Sequence, residues 1–174
     1  MEQVLGLVSF DARQFLDLLS FENIFPLSDY ISNAIYSSID QNFPREKFIA
    51  YNPKKGFEFT KKIIQTFPSI RFVPLINMTK DQVCQTLKQA SLYIDFGDHP
   101  GKDRIPREAA LLGCCVITSR NGSAGNEKDV GIPDEFKFVK SENNLQAIGE
   151  AMSTCLSNYT VQTVKFEDYR SRIF

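Results

Sequence analysis

The sequence alternates short apolar segments with amphipathic ones, and this alternation limits the folds that the chain can adopt. Five segments have the length and apolar character of buried strands: 47–52, 70–74, 91–96, 114–118 and 136–139. Helical patterns separate or follow them: 57–67, 79–90, 106–113 and 141–156. Strands that alternate with helices form a parallel sheet. Because the apolar runs lack a strict polar alternation, we predict an α/β fold, a doubly wound parallel sheet with helices on both faces.

Local signals predict where these helices begin and end. Pro68 ends the first helix, since proline cannot continue it. Thr79 and Gln82 have the spacing of a capping box, which predicts that the second helix begins there. We place Pro106 at the first position of the third helix, where the missing N–H of proline costs nothing.

The two ends of the chain fit this pattern less well. Residues 1–30 contain one strand–helix–strand piece, and we interpret them as the end of a preceding domain or as an amino-terminal βαβ piece. Residues 31–46 are polar and contain Pro44, which predicts a linker before the main domain at 47–158. Residues 159–174 are expected to form a terminal helix. Three aromatic residues of that helix are expected to be partly exposed: Phe166, Tyr169 and Phe174.

Composition and charge exclude several classes of function. The net charge is −1, so the chain lacks the basic surface that binding of nucleic acid requires. No segment approaches the ~18 apolar residues of a membrane span, and the first residues lack the basic start of a signal peptide. The cysteines show no CxxC spacing, so we expect reduced thiols in a cytoplasmic protein. With a single histidine, we predict no metal site.

Three loops at the predicted carboxyl edge of the sheet carry the candidate site, because ligands of parallel sheets bind at that edge. In the first loop, Lys54, Lys55 and Gly56 precede a helix, and lysines beside a closely approaching backbone suit a phosphate group. The alternative is a turn with solvated lysines. In the third loop, the glycine-rich residues 121–125 could line the same crevice with backbone amides, and a plain flexible turn is equally consistent.

The second loop, at residues 95–108, concentrates most of the candidate residues. Backbone amides from Gly101 onward, together with Lys102 and Arg104, suit a diphosphate. Glu108, one turn into the following helix, suits the hydroxyls of a ribose. The alternative is a surface network in which neighbouring acidic and basic side chains pair with each other.

These motifs resemble the carboxy-terminal half of GT-B glycosyltransferases of the family-4 type. Lys55-Gly56 matches the Lys-Gly that follows the first strand in that family. Glu108-Ala109, with Gly113 and Val116-Ile117, matches its later Glu-Ala, short helix, glycine and apolar strand. The resemblance covers about residues 48–140 and implies a Rossmann-like domain.

The resemblance also implies roles for individual residues. Lys55 would hold the diphosphate of a nucleotide-sugar donor and Glu108 its ribose, while Asn77 and Met78 would lie beside the base. The nucleotide-sugar is the substrate, and no cofactor is implied. Such enzymes have two domains, so the resemblance implies a missing amino-terminal domain and a glycan or lipid-linked acceptor. We expect the chain alone to be inactive, with either self-association or a mobile amino terminus.

One position departs from the family's pattern. The family has a glutamate near the donor sugar, eight residues before the one that matches Glu108, and here that position is Pro100. His99 and Ser123 are named as possible sugar-side residues, although an exposed loop histidine is more often inert than a general base. The catalytic residue stays unassigned.

The departure at residue 100 keeps two alternatives to a transferase open. One is a non-catalytic nucleotide-sugar-binding or interaction module. The other is a sugar-nucleotide epimerase with a GT-B-like fold. The main expectation is a transferase domain for polysaccharide or glycoconjugate synthesis, in the cytoplasm or at the inner face of a membrane.

Overall fold

A five-stranded parallel sheet lies at the centre of the fold. The computed structural model describes residues 5–7, 9–19, 24–26, 30–31, 33–37, 39, 44–101 and 103–173. Within these ranges the strands are β1 (Leu5–Leu7), β2 (Ile24–Pro26), β3 (Glu46–Tyr51), β4 (Phe72–Pro74), β5 (Ala90–Asp95), β6 (Cys115–Ser119) and β7 (Lys137–Phe138). The main sheet has the order β4-β3-β5-β6-β7, and each pair is parallel. The predicted doubly wound α/β sheet is therefore confirmed.

Helices connect the strands and cover the sheet. They are α1 (Phe10–Leu18), α2 (Asn33–Tyr36), α3 (Phe57–Thr66), α4 (Lys80–Gln89), α5 (Arg104–Leu111), α6 (Leu145–Ser157), α7 (Tyr159–Val164) and α8 (Glu167–Ile173). All side chains of β5 and β6 are buried, as the lack of polar alternation predicted. Among the described residues, none of the helices combines the length and the hydrophobicity needed to cross a membrane.

The order of the strands reverses between β3 and β5. From β3 the chain passes to β4 on one side, and it then crosses to β5 on the other side of β3. In open parallel sheets, ligands bind outside the carboxyl ends of the strands at such a switch point. The loops at 52–56, after β3, and 96–103, after β5, therefore frame the position where a ligand site is expected.

Two helix starts were predicted from local signals, and one of them differs. The capping box of α4 is confirmed, because Thr79 Oγ1 accepts the amide of Gln82 at 3.2 Å and Gln82 Oε1 accepts the amide of Thr79 at 2.8 Å. Helix α5 begins at Arg104, so Pro106 is its third residue and not its first. The first amides of a helix have no intrahelical acceptor, which is why proline is tolerated there too.

The carboxy-terminal tail differs from the prediction in two ways. It forms two short helices, α7 and α8, where one was expected. Phe166, between them, is fully buried with its ring centroid 4.8 Å from that of Phe136, and Tyr169 is buried as well. The predicted exposure of these two residues was wrong, because α8 packs against α5 of the same domain. Phe174 lies outside the described residues.

The amino-terminal segment forms the predicted strand–helix–strand piece. Strands β1 and β2 pair in parallel, and α1 lies between them in the chain. The amide of Phe10 donates to Asp129 Oδ1 at 2.6 Å, and the Lys128 ammonium lies 4.1 Å from the centroid of the Phe10 ring. On α1, Phe15 is 62% exposed and Leu18 is 83% exposed. The helix thus contacts the main domain at its start and leaves an apolar face uncovered.

The segment predicted as a linker also contacts the main domain. Ile31 and Ile35 are buried and belong to the hydrophobic core. The polar composition of residues 31–46 predicted a solvated connection, whereas these two isoleucines anchor the described part of it on the domain. The division of the chain into domains stays a prediction.

Arg45, just before β3, holds together the amino-terminal edge of the sheet. Its guanidinium donates to the carbonyl oxygens of Leu87 at 2.9 Å and Ala90 at 3.0 Å, and also to that of Leu112. These carbonyls lie around the junction of α4 with β5 and at the end of α5. One side chain therefore joins the starts of β3 and β5 to the end of a helix, at the edge opposite the switch point.

Candidate functional site

Gly56 brings the loop after β3 against the end of β5. Its φ is 59°, in the left-handed region, and it is the N-cap of α3. A β-carbon at Gly56 would overlap the carbonyl group of Phe96 and lie 2.7 Å from the nitrogen of Gly97. The glycine is required because two stretches of backbone touch here. This close contact fixes the position of Lys55.

Lys55 is paired within the protein. Its ammonium donates to Asp103 Oδ1. The Lys55 side chain is 41% exposed and that of Asp103 is 14% exposed, so the lysine can reach solvent while the carboxylate is largely enclosed. The structure thus brings Lys55 to the second loop, as expected, but against a partner that the sequence analysis had treated only as one of several surface acids. Lys102 lies outside the described residues.

His99 is fully buried, which corrects the expectation of an exposed loop histidine. Its backbone has a φ of 45°, and its carbonyl oxygen accepts the amide of Ser123 at 3.0 Å. The loop therefore folds back on the turn after β6, and the imidazole points into the protein. Burial keeps this ring away from any bound ligand, so His99 cannot act directly as a general base on a substrate.

The imidazole of His99 lies between two carboxylates, and these three residues are called the acid–histidine cluster: Asp95, His99 and Asp103. Its Nδ1 lies 2.9 Å from Asp103 Oδ2 and its Nε2 lies 3.5 Å from Asp95 Oδ1. The Nδ1 contact is at ion-pair distance without the alignment of a good hydrogen bond. Asp95 also accepts the hydroxyl of Tyr93 at 3.0 Å and the amide of Gly97 at 2.9 Å.

The cluster changes the pKa of each member. Burial lowers the pKa of His99, but the contacts with Asp103 and Asp95 outweigh it, and the pKa lies above the ordinary 6.5. Burial raises the pKa of Asp103, yet His99 and Lys55 together bring it below the ordinary 3.8. For Asp95, burial dominates over the stabilising contacts and raises the pKa. The arrangement favours a protonated imidazole beside an ionised Asp103.

Ligand atoms of the acid–histidine cluster lie within 4.8 Å of one another, a separation that a metal ion would need. The same Asp103 carboxylate, however, already accepts the ammonium of Lys55. A second cation would have to displace the lysine or lie beside it, at a cost in repulsion. We interpret the cluster as a set of ion pairs and not as a set of metal ligands.

A cavity of about 410 Å³ opens beside the switch point. It contains four of the residues predicted to bind a nucleotide: Asn77, Met78, Arg104 and Glu108. Two further cations line it: Lys54 of the first loop, and Lys80, which the sequence did not point to. Three positive side chains against one carboxylate give the cavity a positive charge, which favours an anionic ligand.

Glu108 is the acidic residue of this cavity. Its carboxylate lies 3.2 Å from the Nε of Arg104, and its side chain is 13% exposed. Burial raises the pKa of Glu108, while the charges of Arg104, Lys80 and Arg107 lower it by less. The ion pair that was the alternative reading of this loop is therefore present. Glu108 lines the cavity while it holds this ion pair.

Ser123 and Gly101 contact each other. The buried Ser123 hydroxyl donates to the carbonyl oxygen of Gly101 at 2.6 Å, so it fastens the second loop to the third. A β-carbon at Gly101 would meet no atom within 4 Å, so packing does not require a glycine here. The open space above residue 101 leaves room for a ligand.

Two helices present uncapped amino termini at this edge. Neither Gly56 at the start of α3 nor Asp103 at the start of α5 caps its helix with a side chain, whereas α4 has a complete capping box. Uncapped first-turn amides carry a partial positive charge and favour anions. Lys55 precedes one of these helices and Arg104 begins the other. Charge and backbone donors thus coincide at the switch point.

Sequence reasoning missed Asp95 and the role of Asp103. Residues 95, 99 and 103 are spaced four apart, which would place them on one face of a helix, but they lie in a strand end and a loop, where that spacing has no geometric meaning. Lys80 was missed because its position depends on how α4 packs. Its nearness to the second loop follows from the strand order and not from any local pattern.

Comparison of the sequence with protein-family profiles and with characterised proteins gives no match. Solved structures, in contrast, are similar over nearly the whole chain. TarM of S. aureus has 15% identity and a TM-score of 0.70, and the match covers 98% of this chain and 40% of TarM. HepE of Anabaena, solved in complex with UDP, has 12% identity and a TM-score of 0.64, with 98% of this chain and 58% of HepE covered.

A third similar structure is WaaG, a glycosyltransferase involved in lipopolysaccharide biosynthesis. It has 14% identity and a TM-score of 0.58, and the match covers 97% of this chain and 58% of WaaG. All three are GT-B glycosyltransferases. The chain has the fold of one half of a GT-B glycosyltransferase. This GT-B half spans 40% to 58% of the length of these three proteins.

Proposed function

We propose that this chain is the donor-binding, carboxy-terminal half of a family-4-like glycosyltransferase and that it binds a nucleoside-diphosphate sugar. The observation that carries the proposal is the positively charged cavity at the switch point of a GT-B half. It joins a base-sized cleft to two uncapped helix starts, which is the combination that a nucleotide with a diphosphate needs.

Each part of the donor has a position in this arrangement. The base lies in the cavity beside Asn77 and Met78. Glu108 accepts hydrogen bonds from the ribose hydroxyls through the oxygen that faces away from Arg104. The diphosphate lies at the starts of α3 and α5, where Lys55, Arg104 and the amides from Gly56 and Gly101 supply positive charge and donors, and Lys102 stays a predicted ligand of the diphosphate.

The first test is direct binding of nucleotides to the chain by calorimetry, with UDP, GDP and ADP compared. UDP is the first probe because it occupies the structurally similar HepE. Substituting Lys55→Ala removes a charge-assisted contact, so affinity falls about tenfold to a hundredfold. Lys62→Ala is the matched control, since Lys62 is an exposed lysine of α3 that pairs with Glu142 at 2.5 Å. Equal affinity of Lys55→Ala and the parent for all three nucleotides would contradict the assignment.

The second test concerns the ribose. Glu108→Gln keeps the shape of the side chain and removes its charge, so binding of UDP weakens more than binding of 2′-deoxy-UDP. Equal losses for the two nucleotides would show that Glu108 serves only as the ion-pair partner of Arg104.

Catalysis by the whole protein requires more than this half. We propose a second Rossmann-like domain that binds a glycan or lipid-linked acceptor, in polysaccharide or glycoconjugate synthesis at the inner face of a membrane. The exposed Phe15, Leu18 and Leu19 of the α1 region give such a domain, or a second copy of the chain, an apolar surface. Sedimentation of the chain with Leu18→Lys compared with the parent tests the second possibility, because this change abolishes self-association through α1.

A non-catalytic nucleotide-sugar-binding module is the second candidate. It is favoured by the absence of a carboxylate at Pro100 and by the use of both predicted sugar-side residues within the protein. His99 is buried between two acids, and the Ser123 hydroxyl is bonded to Gly101. Transfer or hydrolysis of UDP-sugars by the full-length protein favours the transferase, whereas tight binding without turnover favours the module.

A further inference from the structure

The two oxygens of the Asp103 carboxylate are divided between two cationic groups. Oδ1 accepts the ammonium of Lys55, and Oδ2 lies 2.9 Å from Nδ1 of His99. The other ring nitrogen of His99 faces Asp95, which is held in turn by Tyr93 and the Gly97 amide. A continuous series of contacts therefore runs from the buried strand β5 to the lysine at the mouth of the site.

The members of this series differ in their access to a ligand. His99 and Asp95 are buried, Asp103 is 14% exposed in its side chain, and Lys55 is 41% exposed. Lys55 is thus the member that can turn from Asp103 to a bound anion, while the acid–histidine cluster stays in place behind it. When Lys55 turns away, His99 remains as the ion-pair partner of Asp103 among the described residues.

The charge of the series depends on the protonation of His99. Both Asp95 oxygens face donors, and Asp103 faces two cationic groups, so the contacts suit two ionised carboxylates. With a neutral imidazole, Lys55 alone balances two acids, so the four groups carry a net negative charge, which weakens the attraction of the site for a diphosphate. With a protonated imidazole, the positive charges of His99 and Lys55 balance the two carboxylates. A largely buried carboxylate that loses Lys55 needs the remaining positive charge, because an unpaired buried ion is costly.

The other ionisable groups near His99 do not supply a comparable change of charge near neutral pH. Asp98 is exposed and pairs with Lys140. Tyr93 is buried, and burial raises its pKa, so its hydroxyl stays neutral near pH 7. Among the described residues, His99 is therefore the group of this series whose charge changes near neutral pH.

We propose that His99 is a positioning residue that couples proton uptake to donor binding: protonated His99 retains Asp103, and Lys55 is released to the diphosphate of the nucleotide-sugar. The inference rests on the proposed function, since it takes a diphosphate as the ligand of Lys55. Donor binding and protonation of His99 then favour each other. Above the pKa of free His99, affinity falls by up to about tenfold per pH unit.

The single histidine of the sequence allows a direct test, because its imidazole signals in an NMR spectrum of untagged protein are unambiguous. In the free protein, Lys55→Met removes the competing cation from Asp103 and raises the pKa of His99, while Asp103→Asn lowers it. Lys54→Met is the matched control, since the neighbouring lysine is exposed and leaves this pKa unchanged. An unchanged pKa of His99 in Lys55→Met would overturn the coupling.

The second measurement is calorimetry with UDP-glucose, whose diphosphate has no ionisation near neutral pH. Titrations about one pH unit above the pKa that NMR gives for free His99, in buffers of different ionisation enthalpy, give the number of protons taken up on binding. We expect net proton uptake for the parent and none for His99→Asn. If His99→Asn does not fold, Asp103→Asn replaces it, and the NMR result on Lys55→Met stands independently.

The results distinguish a failure of the proposed function from a failure of the coupling between His99 and Lys55. Absence of UDP-glucose binding at any pH refutes the proposed function, and the inference with it. Binding without proton uptake, or without coupling between Lys55 and His99, leaves the proposed function standing and overturns the inference. Binding with proton uptake that disappears in the variant supports both.

Discussion

Gly56→Ala tests whether the contact between the first loop and the end of β5 holds the site together. Residue 56 has a φ of 59°, and a β-carbon there would overlap the carbonyl group of Phe96. The neighbouring atoms belong to the backbone of Phe96 and Gly97, so they cannot move aside as a flexible side chain would. The substitution must shift one loop away from the other.

The expected loss of stability combines two costs. The left-handed conformation costs an L-residue about 1–2 kcal/mol. Overpacking against backbone that cannot relax adds about 1–3 kcal/mol. The free energy of unfolding is therefore expected to fall by about 2–5 kcal/mol, a large part of the roughly 5–15 kcal/mol of a typical domain.

Urea unfolding followed by circular dichroism measures this loss. Gly101→Ala is the matched control, because a β-carbon at Gly101 meets no atom within 4 Å, and its stability stays within about 0.5 kcal/mol of the parent. Since Lys55 precedes Gly56, the Gly56→Ala protein should also bind UDP-glucose more weakly. A Gly56→Ala protein as stable as Gly101→Ala would refute the reasoning about the loop contact.

Three further predictions follow from buried groups. Phe166→Ala lowers the free energy of unfolding by about 3–5 kcal/mol, since the ring is fully buried. Val164→Ala, at a residue 54% exposed, changes it by less than about 0.5 kcal/mol. Equal urea midpoints for the two variants would show that the tail does not pack on the domain. Ser123→Ala removes the hydrogen bond to Gly101 and lowers the free energy of unfolding by about 1–3 kcal/mol in the same assay. A Ser123→Ala protein that keeps its stability but loses sugar binding would instead support the predicted sugar-side role. The raised pKa of His99 means that its stabilising contribution is fully present below its ordinary pKa of 6.5 and is lost as the pH rises through the pKa in the folded protein. Urea midpoints measured from pH 6 to 9 should therefore decline in the parent more steeply than in His99→Asn, and parallel curves would contradict this.

The sheet and its helices were predictable because their signals are local. Apolar runs and the Thr79–Gln82 spacing depend only on neighbouring residues, and both predictions are confirmed. The tail was not predictable in this way. The pattern around Phe166 shows an apolar residue near the end of the chain, and only the packing of α8 on α5 decides that it is buried.

The candidate site was predictable in outline and not in its connections. Parallel strands brought the loops of Lys55, Arg104 and Glu108 to one edge, as the expected topology requires. The burial of His99 depends on a left-handed backbone at a non-glycine residue and on a hydrogen bond to Ser123, 24 residues away. No short-range pattern reports such a loop closure, so the sequence indicated the Arg104–Glu108 pairing and missed Asp95 and the contacts of Asp103 with Lys55 and His99.

Because of the contacts of Arg45, the two edges of the sheet differ in how they respond to pH. At the amino-terminal edge, Arg45 binds three backbone carbonyl oxygens, which do not titrate. At the carboxyl edge, the contacts of Asp103 and Asp95 depend on the protonation of the His99 imidazole. A change in pH can therefore alter the contacts between the loops at the carboxyl edge, whereas the contacts of Arg45 at the amino-terminal edge stay the same.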